Sequence, residues 1–252
     1  MSPELKKRWI TAIVAIAVVA FSLFGRASVY LYLLCLFVGL VGVWEAGRLL
    51  ALSVDDVVVA SVSLALGLLS GTAPKFPLFT IAIFLPLFYQ ALKLWTDREI
   101  RLDAVFPVVY LAAPLSVALY AKSLHMEWLL VAAAVSVWAG DAAAYFVGKA
   151  VGKRKLHPVS PKKTVEGAIG GLLIGGILSA ITALLFLKWG FLKAVGFGFA
   201  TNVAGQMGDL FESYLKRKAG VKDSGTLFPG HGGALDRIDS LLFALMVAAL
   251  FI

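Results

Sequence analysis

Three observations predict an all-α, polytopic integral membrane protein of about nine transmembrane helices with a cytoplasmic amino terminus. Apolar runs near the ~20 residues that span a bilayer recur along the chain. The alternation of apolar and polar residues expected of a membrane β-barrel is absent. The cations concentrate on alternate loops. Of the 252 residues, 60% are apolar and only 15% charged, with a mean hydropathy of +0.90; soluble domains carry about 25% charged residues.

The spans expected, in order, are residues 9–24, 28–50, 57–71, 76–95, 104–122, 127–148, 167–188, 191–211 and 238–252. Lys6, Lys7 and Arg8 precede the first as they would precede a secretory signal. The small-x-small site Ala15-Ile16-Ala17, however, lies inside the apolar stretch itself, which reads as a retained helix. The second holds Cys35, the single cysteine, which excludes an intrachain disulfide. Glu45 and Arg48, one turn apart there, read as a local ion pair reaching the interface. The third and ninth spans are short for a full crossing.

Asp141 lies about two turns before the end of the sixth span, placed equally well for structural hydrogen bonding and for a site. Gly167, Gly171 and Gly175 in the seventh form two overlapping small-xxx-small repeats, which favour close helix packing within the chain or in a homodimer. The eighth carries Asn202, Gln206, Asp209, Ser213 and Lys216, a spacing that places all five on one helix face. An aspartate is expensive in lipid, so that stripe should face protein or a cavity; its run straight into the polar loop favours a site over the plainer reading of interhelical hydrogen bonding.

Loop charge sets the orientation. With the amino terminus inside, every one of the 23 lysines and arginines except Arg26, Lys75, Lys122, Lys188 and Lys193 falls on the cytoplasmic side. The net charge of +8 is therefore a membrane signature that fits anionic head groups or a nucleotide, and it gives no reason to expect nucleic-acid binding. Residues 1–125 read as a transmembrane scaffold. Residues 126–252 read as the catalytic transmembrane region, with cytoplasmic loops at 149–166 and 212–239.

Those two loops carry the chemistry. In the first, Pro158 and Pro161 oppose helix formation, and Ser160, Lys162, Lys163 and Thr164 supply donors suited to phosphate oxygens; a merely solvated basic loop explains them equally well. From Ser213 to Asp239 the chain sets five cations, three carboxylates and a histidine among glycines. Pro229-Gly230-His231-Gly232-Gly233 allows close backbone approach to an anion. Asp236 and Asp239, at i and i+3, share a face if a helix has begun, and with Asp209 they can gather around a divalent cation. Magnesium prefers a few carboxylates plus substrate phosphates. His231, the lone histidine there, argues against zinc and for a phosphate contact or a turn. A nucleotide-binding P-loop, H-E-x-x-H, G-x-S-x-G and the spaced aspartates of CDP-alcohol phosphotransferases are all absent.

The second loop resembles the signature of the phosphatidate cytidylyltransferases (CDP-diacylglycerol synthases). That signature runs S-x-x-K-R, four residues, K-D, a glycine-containing spacer, P-x-H-G-G and D-R-x-D. Its fixed positions fall on Ser213, Lys216, Arg217, Lys222, Asp223, Pro229, His231, Gly232, Gly233, Asp236, Arg237 and Asp239. Ala234 departs at a variable position where a larger aliphatic is usual. Ser160-Pro161-Lys162-Lys163-Thr164-x-Glu166-Gly167 resembles the family's second motif, and Asp141 stands where the family carries an aspartate. The first 130 residues match only in being helical and apolar.

The resemblance implies an enzyme of phospholipid biosynthesis, a nucleotidyltransferase that joins CTP and phosphatidic acid into CDP-diacylglycerol and pyrophosphate. It further implies Mg2+ held by Asp209, Asp236 and Asp239, with Lys222 and Asp223 also in the catalytic set. A second, monovalent cation is left open. Lys216, Arg217 and Lys222 would bind triphosphate; Lys162, Lys163 and Arg237 would receive the lipid phosphate or share the CTP. Ser160, Thr164, Ser213, His231, Gly232 and Gly233 complete the substrate-binding set, with Asp141 as support. The rival readings are an ion-coupled transporter using Asp141 and Asp209, and a CTP-dependent kinase of a lipid alcohol. No internal repeat of the transporter kind is present, and the products separate the kinase from the cytidylyltransferase.

Overall fold

A computed structural model describes residues 3–72, 76–93, 99–227 and 232–252. Among these it forms nine α-helices: α1 (Pro3–Phe24), α2 (Val29–Leu49), α3 (Val54–Thr72), α4 (Phe76–Lys93), α5 (Phe106–Ser123), α6 (Glu127–Val151), α7 (Val165–Thr182), α8 (Phe191–Lys218) and α9 (Leu235–Ala248). Five helical stretches of the described residues are long and apolar enough to cross a membrane: 29–49, 54–72, 102–123, 127–151 and 165–187. The protein is thus an all-α integral membrane protein. Residues 13–24 and 81–93 form shorter apolar helices.

Two differences from the expected elements bear on the site. The basic loop is a β-hairpin, β1 (Lys155–His157) and β2 (Ser160–Thr164), paired antiparallel with Lys155 opposite Thr164 and His157 opposite Ser160. Pro158 falls in its turn, where a fixed φ and a missing N–H cost the ladder nothing. Second, α8 runs on to Lys218, so Ser213, Lys216 and Arg217 stand on a helix rather than in a loop.

The chain divides into two compact units. The first comprises residues 1–124 and 221–237. In it α3 packs against α4 and α5, and α2 against α3 and α5. The Asp56 carboxylate is fully enclosed, accepting from Lys93 Nζ and Gln90 Nε2 at 2.7 Å each and from Ser53 Oγ at 2.7 Å. The buried Lys122 ammonium donates to the carbonyls of Leu23 (2.6 Å) and Gly25 (3.1 Å), closing the end of α1. Buried charges persist in folded proteins when paired and hydrogen-bonded in this way. Cys35 is buried and free.

The second unit comprises residues 125–220 and 238–252. There α7 lies between α6 and α8. The glycine stripe is used within the chain, on the α6–α7 seam. A Cβ at Gly171 would lie 2.7 Å from the Gly140 carbonyl oxygen, and one at Gly175 would meet the Ser136 carbonyl oxygen and the Asn202 amide. Only glycine admits that approach.

Candidate active site

The polar stripe on α8 divides into two parts. Asn202 is buried and donates to the Ser136 carbonyl oxygen at 2.6 Å. Gln206 donates to the Ala168 carbonyl oxygen at 3.1 Å and to Asn202 Oδ1 at 2.8 Å. Those two side chains join α8 to α6 and α7, the plainer of the two readings. Nearer the helix end the stripe turns ionic. Asp209 pairs with Lys163 of β2, and Lys216 pairs with Glu212 one turn earlier. Lys163 also interacts electrostatically with Asp141, Asp239 and Lys216. Asp239 in turn interacts with Lys216 and Asp141. Three carboxylates and two ammonium groups from α6, β2, α8 and α9 thus gather in the second unit. Burial lowers the Lys163 amine below the ordinary lysine pKa; the Asp141 and Asp239 charges oppose that shift and Lys216 adds to it.

The hairpin is what delivers Lys163. Along β2, Lys162 is exposed, Lys163 half-buried and Thr164 buried. Glu166 fastens its base, accepting from the amides of Lys153 (3.0 Å) and Arg154 (3.2 Å) and from Arg154 Nε (3.1 Å). Thr164 Oγ1 caps α7 by accepting from the Gly167 amide at 3.1 Å. Thr164→Val is nearly isosteric and removes only that bond. It is expected to cost about 1 kcal/mol, seen as a lower thermal midpoint in detergent. Ser160 and Ser213 are half-buried, and Arg217 is exposed at the last turn of α8.

The first unit holds the other signature residues. Lys222, Asp223 and Arg237 are exposed. Gly232 has φ +84°, in the left-handed region, and a Cβ there would lie 2.6 Å from Asp236 Oδ2, so both its conformation and its surroundings call for glycine. The same Asp236 oxygen accepts from the Gly233 amide (2.8 Å), the Ser224 amide (2.9 Å) and Ser224 Oγ (3.0 Å). Two backbone amides and a hydroxyl within hydrogen-bond distance of one oxygen hold the carboxylate in a single orientation at the start of α9. His231, with Pro229 and Gly230, lies outside the described residues.

Glu45 corrects the sequence reading. It is 1% exposed, and its carboxylate accepts from the amides of Ala234 (3.0 Å) and Leu235 (2.9 Å) and from Ser224 Oγ (2.8 Å). Arg48 instead lies over the Trp44 ring, 4.9 Å from its centroid. The signal was present, since a carboxylate in an apolar helix is costly without a partner. The nearest opposite charge in sequence was the wrong partner. Glu212, buried beside Lys216, was also missed.

Among the described residues, no three histidine, cysteine, aspartate or glutamate side chains gather so as to hold a metal ion by themselves. What the second unit does present is a mixed-charge cluster able to engage polyanions and neutralise part of their charge. Fold and cluster together define a polytopic helical membrane protein that carries a mixed-charge cluster on its second unit. Residues 6–252 match the model of the Cytidylyltransferase family, and the chain belongs to that family.

Among individual proteins, the chain is 48% identical over 116 residues to a phosphatidate cytidylyltransferase of Helicobacter pylori, an alignment covering 46% of this chain and 42% of that protein. It is 50% identical over 115 residues to one of Bacillus subtilis, covering 45% of this chain and 43% of the other. Against one of Staphylococcus aureus it is 39% identical over 168 residues, covering 64% and 63%. The chain therefore spans about half the length of the curated relatives it matches.

Proposed function

We propose that this protein transfers CMP from CTP to phosphatidic acid, giving CDP-diacylglycerol and pyrophosphate, at the cytoplasmic face of the cell membrane. The observation that carries the reading is the cluster of Asp141, Lys163, Asp209, Lys216 and Asp239, all but Asp209 at positions that resemble the phosphatidate cytidylyltransferases. The relatives named above support the same assignment. The loop charges support nine spans with the amino terminus inside, an arrangement that would put both motifs on the side where CTP is found. No nucleic-acid partner is required. Should two copies pair, they would use a face other than the glycine stripe, which lies on the α6–α7 seam.

The lipid phosphate is itself the nucleophile. Its second pKa lies near 6, so at neutral pH it is largely a dianion and needs no strong base. One of its oxygens forms a bond to the α-phosphorus of CTP, while the bond from that phosphorus to the β-phosphate bridge breaks and its electron pair leaves with pyrophosphate. The protein's task is to hold two polyanions in line and offset their repulsion. Lys163 and Lys216 supply charge within the cluster; Lys162, Arg217, Lys222 and Arg237 are exposed, on surface that phosphates reach from solution.

A donor set of aspartates with no closed protein cage fits Mg2+, which keeps several positions for water and substrate phosphate. Asp209 and Asp239 of the second unit would hold it, the remaining positions being filled by water and substrate phosphate. When bound, the ion would supply charge neutralisation on the leaving pyrophosphate. In this arrangement the Lys163 ammonium stands beside Asp209 as the cation neutralising that carboxylate.

The test is product analysis with purified protein, CTP, phosphatidate and Mg2+ in detergent. Equimolar pyrophosphate and CDP-diacylglycerol are expected, and both should vanish with EDTA. CDP accompanied by a newly phosphorylated lipid alcohol would establish a kinase instead.

A further inference from the structure

We propose that Glu45, on the second helix and outside both motifs, is a positioning residue that fixes the Asp236 carboxylate and the start of α9. The proposal deepens the function above and rests on it only for its catalytic consequence. All three donors to Glu45, namely Ser224 Oγ and the amides of Ala234 and Leu235, belong to the segment that carries the signature. Ser224 Oγ lies 2.8 Å from Glu45 Oε2 and 3.0 Å from Asp236 Oδ2. It has one proton to give, so it couples the two carboxylates and can donate to only one at a time. The Ser224 amide donates to Asp236 as well, so a single serine ties Asp236 to the buried glutamate.

Two glycines testify to the same contact. The three atoms nearest a Cβ built at Gly225 are all in the Glu45 side chain, and a Cβ at Gly233 would meet Ser224 Oγ and both Glu45 oxygens. The segment is shaped around that carboxylate. The amide of Leu235 opens a helix, where the end charge also favours an anion.

The experiment uses the full chain in detergent, with Glu45→Gln as the mild variant. The amide keeps shape and one acceptor but faces the Leu235 N–H with a donor, so one bond is lost. Hydrogen exchange at Ser224, Gly233, Ala234 and Leu235 should accelerate about tenfold while exchange elsewhere is unchanged. In the cytidylyltransferase assay kcat should fall about tenfold, with KM for phosphatidate within about twofold, since only a fraction of molecules holds Asp236 correctly. Gly225→Ala should impair the wild type yet add little to Glu45→Ala, which vacates the space its methyl needs.

Unchanged exchange at those four amides, or additive costs in the double variant, would overturn the proposal. So would exchange rising evenly across the chain with a lower thermal midpoint, which marks a general structural role. If the wild type makes no CDP-diacylglycerol, the proposed function falls, and the exchange experiment still decides for or against Glu45.

Discussion

Asp239→Asn is expected to lower the rate of CDP-diacylglycerol formation by about 10²–10³-fold, the usual loss when one preorganised charge at a reacting centre is removed. Asp239 interacts with Lys163, Lys216 and Asp141 at once. Neutralising it leaves the two ammonium groups able to bind anions but removes a carboxylate that the proposed function assigns to the cation. CTP should therefore still bind, and kcat should fall far more than KM for CTP rises. A variant within about threefold of wild type would remove Asp239 from the reacting centre. Asparagine preserves shape and hydrogen bonding, so a lower thermal midpoint is not expected to accompany the loss.

The largest effect on folding is expected at Gly175. Even a methyl there would meet the Ser136 carbonyl oxygen and the Asn202 amide and lie 2.9 Å from Gly140 Cα. Backbone on the facing helix can yield only by moving the helix. Gly175→Leu should cost about 3 kcal/mol or more and show as loss of monodisperse protein on size exclusion in detergent. Gly196→Leu is the matched control, because a Cβ at Gly196 meets nothing within 4 Å. On helix propensity alone that change is neutral or stabilising by about 0.8 kcal/mol. Equal behaviour of the two variants would show that the α6–α7 seam is not tightly packed.

Much of the fold was legible because helices in a membrane must satisfy their own backbone hydrogen bonds, which leaves apolar length as a direct signal. The apolar runs at 28–50, 57–71, 104–122, 127–148 and 167–188 each fall on a helix able to cross. The hairpin at 155–164 was less legible: its five-residue strand is short and basic, and its prolines argued only against a helix. Of the site, the periodicity placed Asp209 and Lys216 on one face of α8. It could not say that Asn202 and Gln206 are spent on holding helices together while Asp209 pairs with a hairpin lysine. Glu45 was harder still, because its partners are about 180 residues away in sequence and two of its three donors are backbone amides, which no side-chain pattern announces.

The enclosed pair of Asp56 and Lys93 bears on which substitutions the α3–α4 contact tolerates. Asp56 stands in the first turn of α3 and Lys93 in the last turn of α4, so the pair ties the start of one helix to the end of the next. Removing the lysine alone would leave an enclosed carboxylate without its ammonium partner, which costs more than replacing both groups by apolar side chains of similar size.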